Sequence, residues 1–409
     1  MNSLLRFKLE VPNIKYSLSL LLFVFLILLL GGCWSKRELN ELAIVAAVGV
    51  DRVNEQYEIS VQIVNPGQIA SKKATSQSPV ITYHATGKSL FEAIRKLTTL
   101  TPRKPYYSHA QIIIIGEELA EEGMNNILDL FQRDPEGRSE FNILIARDTT
   151  AKEVLSILTP LEDIPAKNIL NALKSSEQAI GTTDSVILDD LINSLSGKGN
   201  SAVLSTIELH GDSAIGNNQT NVERIQNPAI LKFGDFALFK DYKLVGFLTM
   251  AESKSYNYMN NHIKSTFEIL SCPEKGKLTT EVTNSEAKIT GRVQHGHPKI
   301  NIKLKVEQNV ADVNCTIDLT KPQNITALNK ATSEAIKKGL EQTLDTLQKT
   351  YKVDALQFAE ILYRQDYKGW NKIKDNWATL FPEIDVKVQV TVNTQGIGTS
   401  LNKDLQKSY

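Results

Sequence analysis

Fourteen residues from Ser17 to Leu30, almost all apolar, follow the cations Arg6, Lys8 and Lys15 and stop at Gly31-Gly32-Cys33. As a helix this run rises only ~21 Å against a bilayer core of ~30 Å, so it is short for a permanent span. A basic start, a short apolar middle and small residues before a cut describe an export signal. That reading places the folding of everything downstream outside the membrane, in a compartment that permits disulfides.

Leu30-Gly31-Gly32-Cys33 resembles the lipobox of bacterial lipoproteins, in which the cysteine is acylated and becomes the new first residue. Cys33 is therefore the expected lipidation site and residues 1–32 the expected signal peptide. Two acyl chains suffice for stable anchoring when each buried CH₂ contributes ~0.8 kcal/mol. Nothing after this segment reads as a second span, the run Ala110 to Ile115 being far too short.

What remains is long for a single hydrophobic core, which favours several domains. With 42% hydrophobic and 22% charged residues the full sequence is that of an ordinary globular chain, neither disordered nor fibrous. Lys+Arg and Asp+Glu both number 46, so no global field selects nucleic acid. Partners have to be chosen by local patches.

The run Ala43 to Val50 is apolar on both faces and predicts a central strand, while Tyr57 to Ile63 alternates as a half-buried one. Strands over 80–85, 110–116 and 141–146 then alternate with helices over 89–97, 117–131 and 151–158. Helical periodicity continues from Pro165 to Leu195, and the connector Ser196 to Ser201 precedes strands over 202–209, 229–239 and 244–248. The last third predicts strands over 278–283, 287–293, 299–306 and 313–319, a helix from about Ile325 to Tyr351, further helices, and a closing strand over 384–392. The fold class expected is α+β: multi-domain mixed α/β, in three domains with mixed or antiparallel sheets and a long helix in the C-terminal one. Their limits are read as 33–195, 202–271 and 272–401.

Motifs for nucleophilic, nucleotide or zinc-dependent chemistry are absent, and no cofactor is implied. His295 and His297 stand around a Gly-Pro turn, and His109 precedes a buried strand, so both fit structural roles better than metal or acid–base ones. Trp370 and Trp377, seven apart, share a helical face suited to core packing. Cys272 and Cys315 lie near the ends of strand-like segments and either pair or stay as two buried thiols. In Arg133-Asp-Pro-Glu-Gly-Arg138, residues Arg133, Asp134 and Arg138 are candidate partner-docking residues, against the plainer reading of a solvated loop.

Several stretches together resemble the Ger(x)C family, the lipoprotein C subunits of nutrient germinant receptors in endospore-forming bacteria. They are "GCWSKRELNELAIVAAVGVD", "YSHAQIIIIGEELAEEG", "RDPEGR", "CPEKG" and "YRQDYKGWNKIKDNWATLFPEIDVKVQV", in family order over residues 32–392. The resemblance implies a non-enzymatic subunit on the outer face of the spore inner membrane. Its implied partners are the membrane, through acylated Cys33, a membrane-embedded A subunit and a transporter-like B subunit, with no nucleic acid. One departure stands out: where the family usually has Asp-x-x-Gly-x-Gly, Asp354 is kept but Gln357 and Ala359 occupy the glycine positions. Gln and Ala favour helix continuation, which predicts an unbroken helix through 354–364. Two other function classes remain beside this one. A tethered solute-binding protein would show a polar cleft between two lobes, and an anchored wall hydrolase a carboxylate pair or metal cluster in a cleft.

Overall fold

The computed structural model describes Ser19, Leu21 and Phe23 and residues 41–69, 77–133, 140–272 and 275–397. Cys33, the stretch 35–38, Asp134 and Arg138 lie outside the described residues. Among the described residues no helix is long and apolar enough to cross a membrane.

The body, Ala43–Tyr409, is built on two sheets. The first contains β1 (Leu42–Val53), β2 (Gln56–Val64), β3 (Val80–Gly87), β4 (Lys104–Tyr106), β5 (Ile112–Gly116), β6 (Asn142–Ala146), β7 (Ser201–Gly211), β8 (Ala229–Lys240) and β9 (Lys243–Leu248). Its order is β3-β2-β1-β5-β6-β7-β8-β9, with β4 also paired to β1. β1, β5, β6 and β7 run parallel, whereas β2, β3, β8 and β9 pair antiparallel at the two flanks.

The central strands are apolar throughout because helices cover both faces. Along β5, Ile113 and Ile115 pack with α1 (Leu90–Leu97), α2 (Glu117–Glu122) and α3 (Asn125–Arg133), while Ile112 and Ile114 face α4 (Ala151–Ser156) and α5 (Pro165–Ala179). α6 (Leu188–Ser196) joins the first group through Leu188, Leu191 and Leu195. The helix expected over 117–131 is two, α2 and α3, because the chain turns at Gly123, whose φ of 133° excludes helix.

After α7 (Met250–Met259) the chain enters a second sheet, ordered β10 (Thr266–Ser271), β11 (Lys277–Gln294), β12 (His297–Asn314) and β13 (Asp385–Gly396). β12 and β13 pair in parallel, the other neighbours antiparallel. The long helix is α8 (Pro322–Asp345), extended to Tyr351 by a wider turn. α9 (Phe358–Gln365) and α10 (Tyr367–Ile373) follow. Phe236 and Leu238 of β8, Ile300 and Ile302 of β12 and Leu340 and Leu344 of α8 share one core. The expected mixed α/β class with mixed sheets and a long C-terminal helix is what the chain adopts.

Two expectations need correction. Residues 202–271 hold no sheet of their own, since β7–β9 extend the first sheet and β10 begins the second, so the boundary drawn after residue 195 parts β7 from β6, its neighbour in the same sheet. The strands expected over 278–283 and 287–293 are one, β11, which runs on through the irregularity between Val282 and Asn284; the strand expected over 299–306 is part of β12, which continues to Asn314, and residues 315–319, expected as strand, are not.

Candidate functional site

Two buried carboxylates organise the ends of helices. β1 carries Gly49-Val50-Asp51 near its end, and a side chain at Gly49 would come within 3.1 Å of Ala151 Cβ, so its absence lets α4 lie directly on the strand. From there Asp51 accepts the backbone N–H groups of Ala151 (2.8 Å) and Lys152 (3.0 Å), which begin α4 one hundred residues later. Burial pushes the Asp51 carboxyl up to about 6, against the pull of those two amides. Glu58, next to it, binds Lys152 at 3.2 Å and His84 at 3.0 Å.

Asp354 repeats the device in the C-terminal half. Its carboxylate accepts the N–H groups of Phe358 (2.7 Å) and Ala359 (2.8 Å), and its carbonyl accepts the Ser201 hydroxyl of β7 at 2.6 Å. Burial raises this carboxyl to about 7. The predicted continuous helix through 354–364 is therefore wrong. Gln357 has φ 54°, a left-handed residue, and α9 starts only at Phe358. The turn follows from tertiary structure: Asp354 is held in the core, and reaching two amides beyond it requires the chain to double back at Gln357.

Gln357 also lines a polar cleft of about 550 Å³. Asp184 and Asn193 come from around α6, Tyr256 and His262 from α7 and the turn after it, and Glu360 and Arg364 from α9. His262 Nδ1 lies 2.8 Å from Asp184 Oδ2, and this bond raises the imidazole above its ordinary value despite partial burial. Burial also raises Glu177, which adjoins Ser185 and Asp184. Arg364 pairs with Glu360 at 2.8 Å. Beneath, Asn257 donates to the carbonyls of Gly181 (2.9 Å) and Thr183 (3.0 Å), fixing the extended chain that carries Asp184. Asp184 and His262 are 78 residues apart with no motif around either, so only the folded chain reveals the pair.

Of the docking candidates, only Arg133 is described. It ends α3, pairs with Asp129 at 2.8 Å and lines a groove with Phe91, Ile94, Lys104 and Leu130. Cys272 and Cys315 are joined in a disulfide beside Leu278 and Leu328. His295 and Gly296 take positive φ to form the two-residue turn between β11 and β12. His109 is exposed and packs edge-on to Tyr106, and Trp370 and Trp377 meet edge-on at 5.2 Å in the core. Among the described residues no group of three or more His, Cys, Asp or Glu side chains is gathered to hold a metal.

Residues 35–209 match the spore germination protein N-terminal domain, and residues 235–398 match the C-terminal domain described as spore germination B3/GerAC like. The chain is a GerAC-like spore germination protein. In Bacillus subtilis (strain 168), spore germination protein KC is 30% identical to it over 395 residues, 94% of this chain and 97% of that protein. Spore germination protein B3 of the same strain is 24% identical, covering 92% and 96%. The crystal structure of the GerBC protein, 20% identical, superposes with a TM-score of 0.55 over 85% of this chain and 96% of that one, which establishes a common fold. In this GerAC-like protein the Gly49-Val50-Asp51 that ends the first stretch resembling the family acquires a physical meaning. The glycine admits α4 to the sheet and the aspartate caps it. The Asp-x-x-Gly signature is met in shape, with Gln357 in the conformation that glycine adopts freely.

Proposed function

We propose that this chain is the non-enzymatic, lipid-anchored C subunit of a nutrient germinant receptor. It is held by acylated Cys33 on the outer face of the spore inner membrane and assembles there with the integral-membrane A and B subunits. The observation that carries this reading is the ordered match of both spore germination segments across nearly the whole body, together with near-complete coverage of the KC protein. The signal-like start and the Gly-Gly-Cys33 junction support the anchor. Signalling through assembly suits a body in which Asp51 and Asp354 are used as helix caps.

A second reading, a lipid-anchored solute-binding protein, draws on the polar cleft around His262, whose volume of about 550 Å³ suits a small polar molecule. Affinity isolation of a tagged chain from dormant-spore membranes separates the two. Co-purification of an A or a B subunit, with no nutrient binding by the isolated body in calorimetry, is the expected result. Isolation without either membrane subunit, combined with tight nutrient binding by the body alone, would overturn the first reading in favour of the second.

A further inference from the structure

In a chain whose charges balance overall, residues 90–106 carry Arg95, Lys96, Arg103 and Lys104 against the single carboxylate of Glu92. This stretch comprises α1, the turn after it and β4. Phe91 is 56% exposed on α1 with the Arg95 guanidinium 4.9 Å above its ring, and the groove of about 460 Å³ beside it is lined by Ile94, Pro105, Tyr107 and Leu130. An exposed aromatic, an apolar groove and a surplus of cations on long stems are the combination that settles into the headgroup layer of an anionic bilayer.

Topology puts this patch close to where the body meets its tether. β5 occupies β1 from Ala47 onward, so β4, which precedes β5 and also pairs with β1, flanks the strand's beginning. That strand starts at Leu42, nine residues after Cys33, a stretch that reaches at most ~30 Å when extended. We propose that the face formed by α1 and β4 lies on an anionic lipid surface, with Phe91 in the headgroup layer and Arg95 and Arg103 on lipid phosphates. This rests on the reading of Cys33 as a lipid anchor and adds to it a defined orientation of the body on the membrane.

The test uses the full lipidated chain in vesicles, with an environment-sensitive fluorophore on Phe91→Cys and, as a control, on Ile225→Cys, a fully exposed site. In vesicles containing 30% phosphatidylglycerol the label at 91 is expected to shift to the blue and to lose accessibility to aqueous iodide, while the label at 225 does not change. In neutral phosphatidylcholine vesicles both labels should stay wet. Arg95→Glu with Arg103→Glu should reverse the protection at 91 by about fivefold per cation removed. A label at 91 equally wet in anionic and neutral vesicles, on protein that still floats with them, would refute the orientation and leave the anchor standing. Protection that appears only with co-reconstituted membrane subunits would refute it in favour of a protein partner. Protein that fails to float with either vesicle type would instead refute the anchor.

Discussion

Gln357 takes a left-handed backbone so that Asp354, three residues earlier, can receive the amides that start α9. A glutamine is strained there by roughly 1–2 kcal/mol relative to a right-handed residue, and glycine is not. Gln357→Gly should therefore raise stability by about 1 kcal/mol after the extra flexibility of glycine in the unfolded chain is counted. Urea unfolding of the two proteins measures this, and an unchanged or lower midpoint in the variant contradicts it.

The same aspartate sets a pH dependence. Burial raises the folded carboxyls of Asp51 and Asp354 from 3.8 to about 6 and about 7, so the folded chain holds these two protons more tightly than the unfolded one. Their contribution to stability is complete below the unfolded value and is lost as pH rises through 6 and 7, at about 1.4 kcal/mol per unit of separation. Between pH 4.5 and 7.5 the wild type should lose more of its unfolding midpoint than Asp354→Asn, which has no proton to release. Parallel profiles would show that Asp354 titrates alike in both states.

Gly116 faces the carboxylate of Asp51, and a methyl group there would collide with Oδ1. Gly116→Ala should push the carboxylate off the amides of Ala151 and Lys152 and cost about 2 kcal/mol, since buried N–H groups are left without an acceptor. Thermal unfolding by circular dichroism gives the value, and a wild-type melting temperature would mean the carboxylate has another place to go.

The bond between Cys272 and Cys315 closes a loop of 43 residues. On chain-entropy grounds it contributes about 4 kcal/mol, and strain makes measured values smaller. Replacing both cysteines with alanine should lower stability by about 2–4 kcal/mol, and thiol titration of the unfolded wild type should find no free thiol at either position. Two titratable thiols in protein isolated without reductant would remove the bond from the native chain.

Cys33→Ala should leave an unlipidated, unprocessed precursor, seen as a higher mass than that of the mature protein. A variant of normal mature mass would refute the lipid assignment.

Much of the first sheet is legible in the sequence because its signals are local. Ala43–Val50 and Ile112–Ile115 are apolar on both faces, and Tyr57–Ile63 alternates. α7 left no such trace: its buried face is made of Ser253, Ser255 and Asn257 beside Tyr258 and Met259, so apolar periodicity had nothing to mark it. Asn-Ser-Glu at 284–286 carries a turn composition yet continues β11, because the opposing ladder on β12 holds it extended. The cleft was invisible for a different reason. Asp184, His262 and Arg364 are ordinary polar residues until three separate elements bring them together, and the turn at Gln357 went against local propensity because a buried carboxylate five residues from Ala359 outweighed it.

The two spore germination segments meet between β7 and β8, which are hydrogen-bonded neighbours from Ser201↔Lys240 to Gly211↔Ala229. Exchange of modules between paralogous receptors at this seam is thus not a clean cut. A hybrid joining one front half to another back half must match side chains across an eleven-residue ladder and refill the core beneath Phe236 and Leu238. Descent should therefore have carried the halves as a pair, and gene trees drawn from each should agree in branching order.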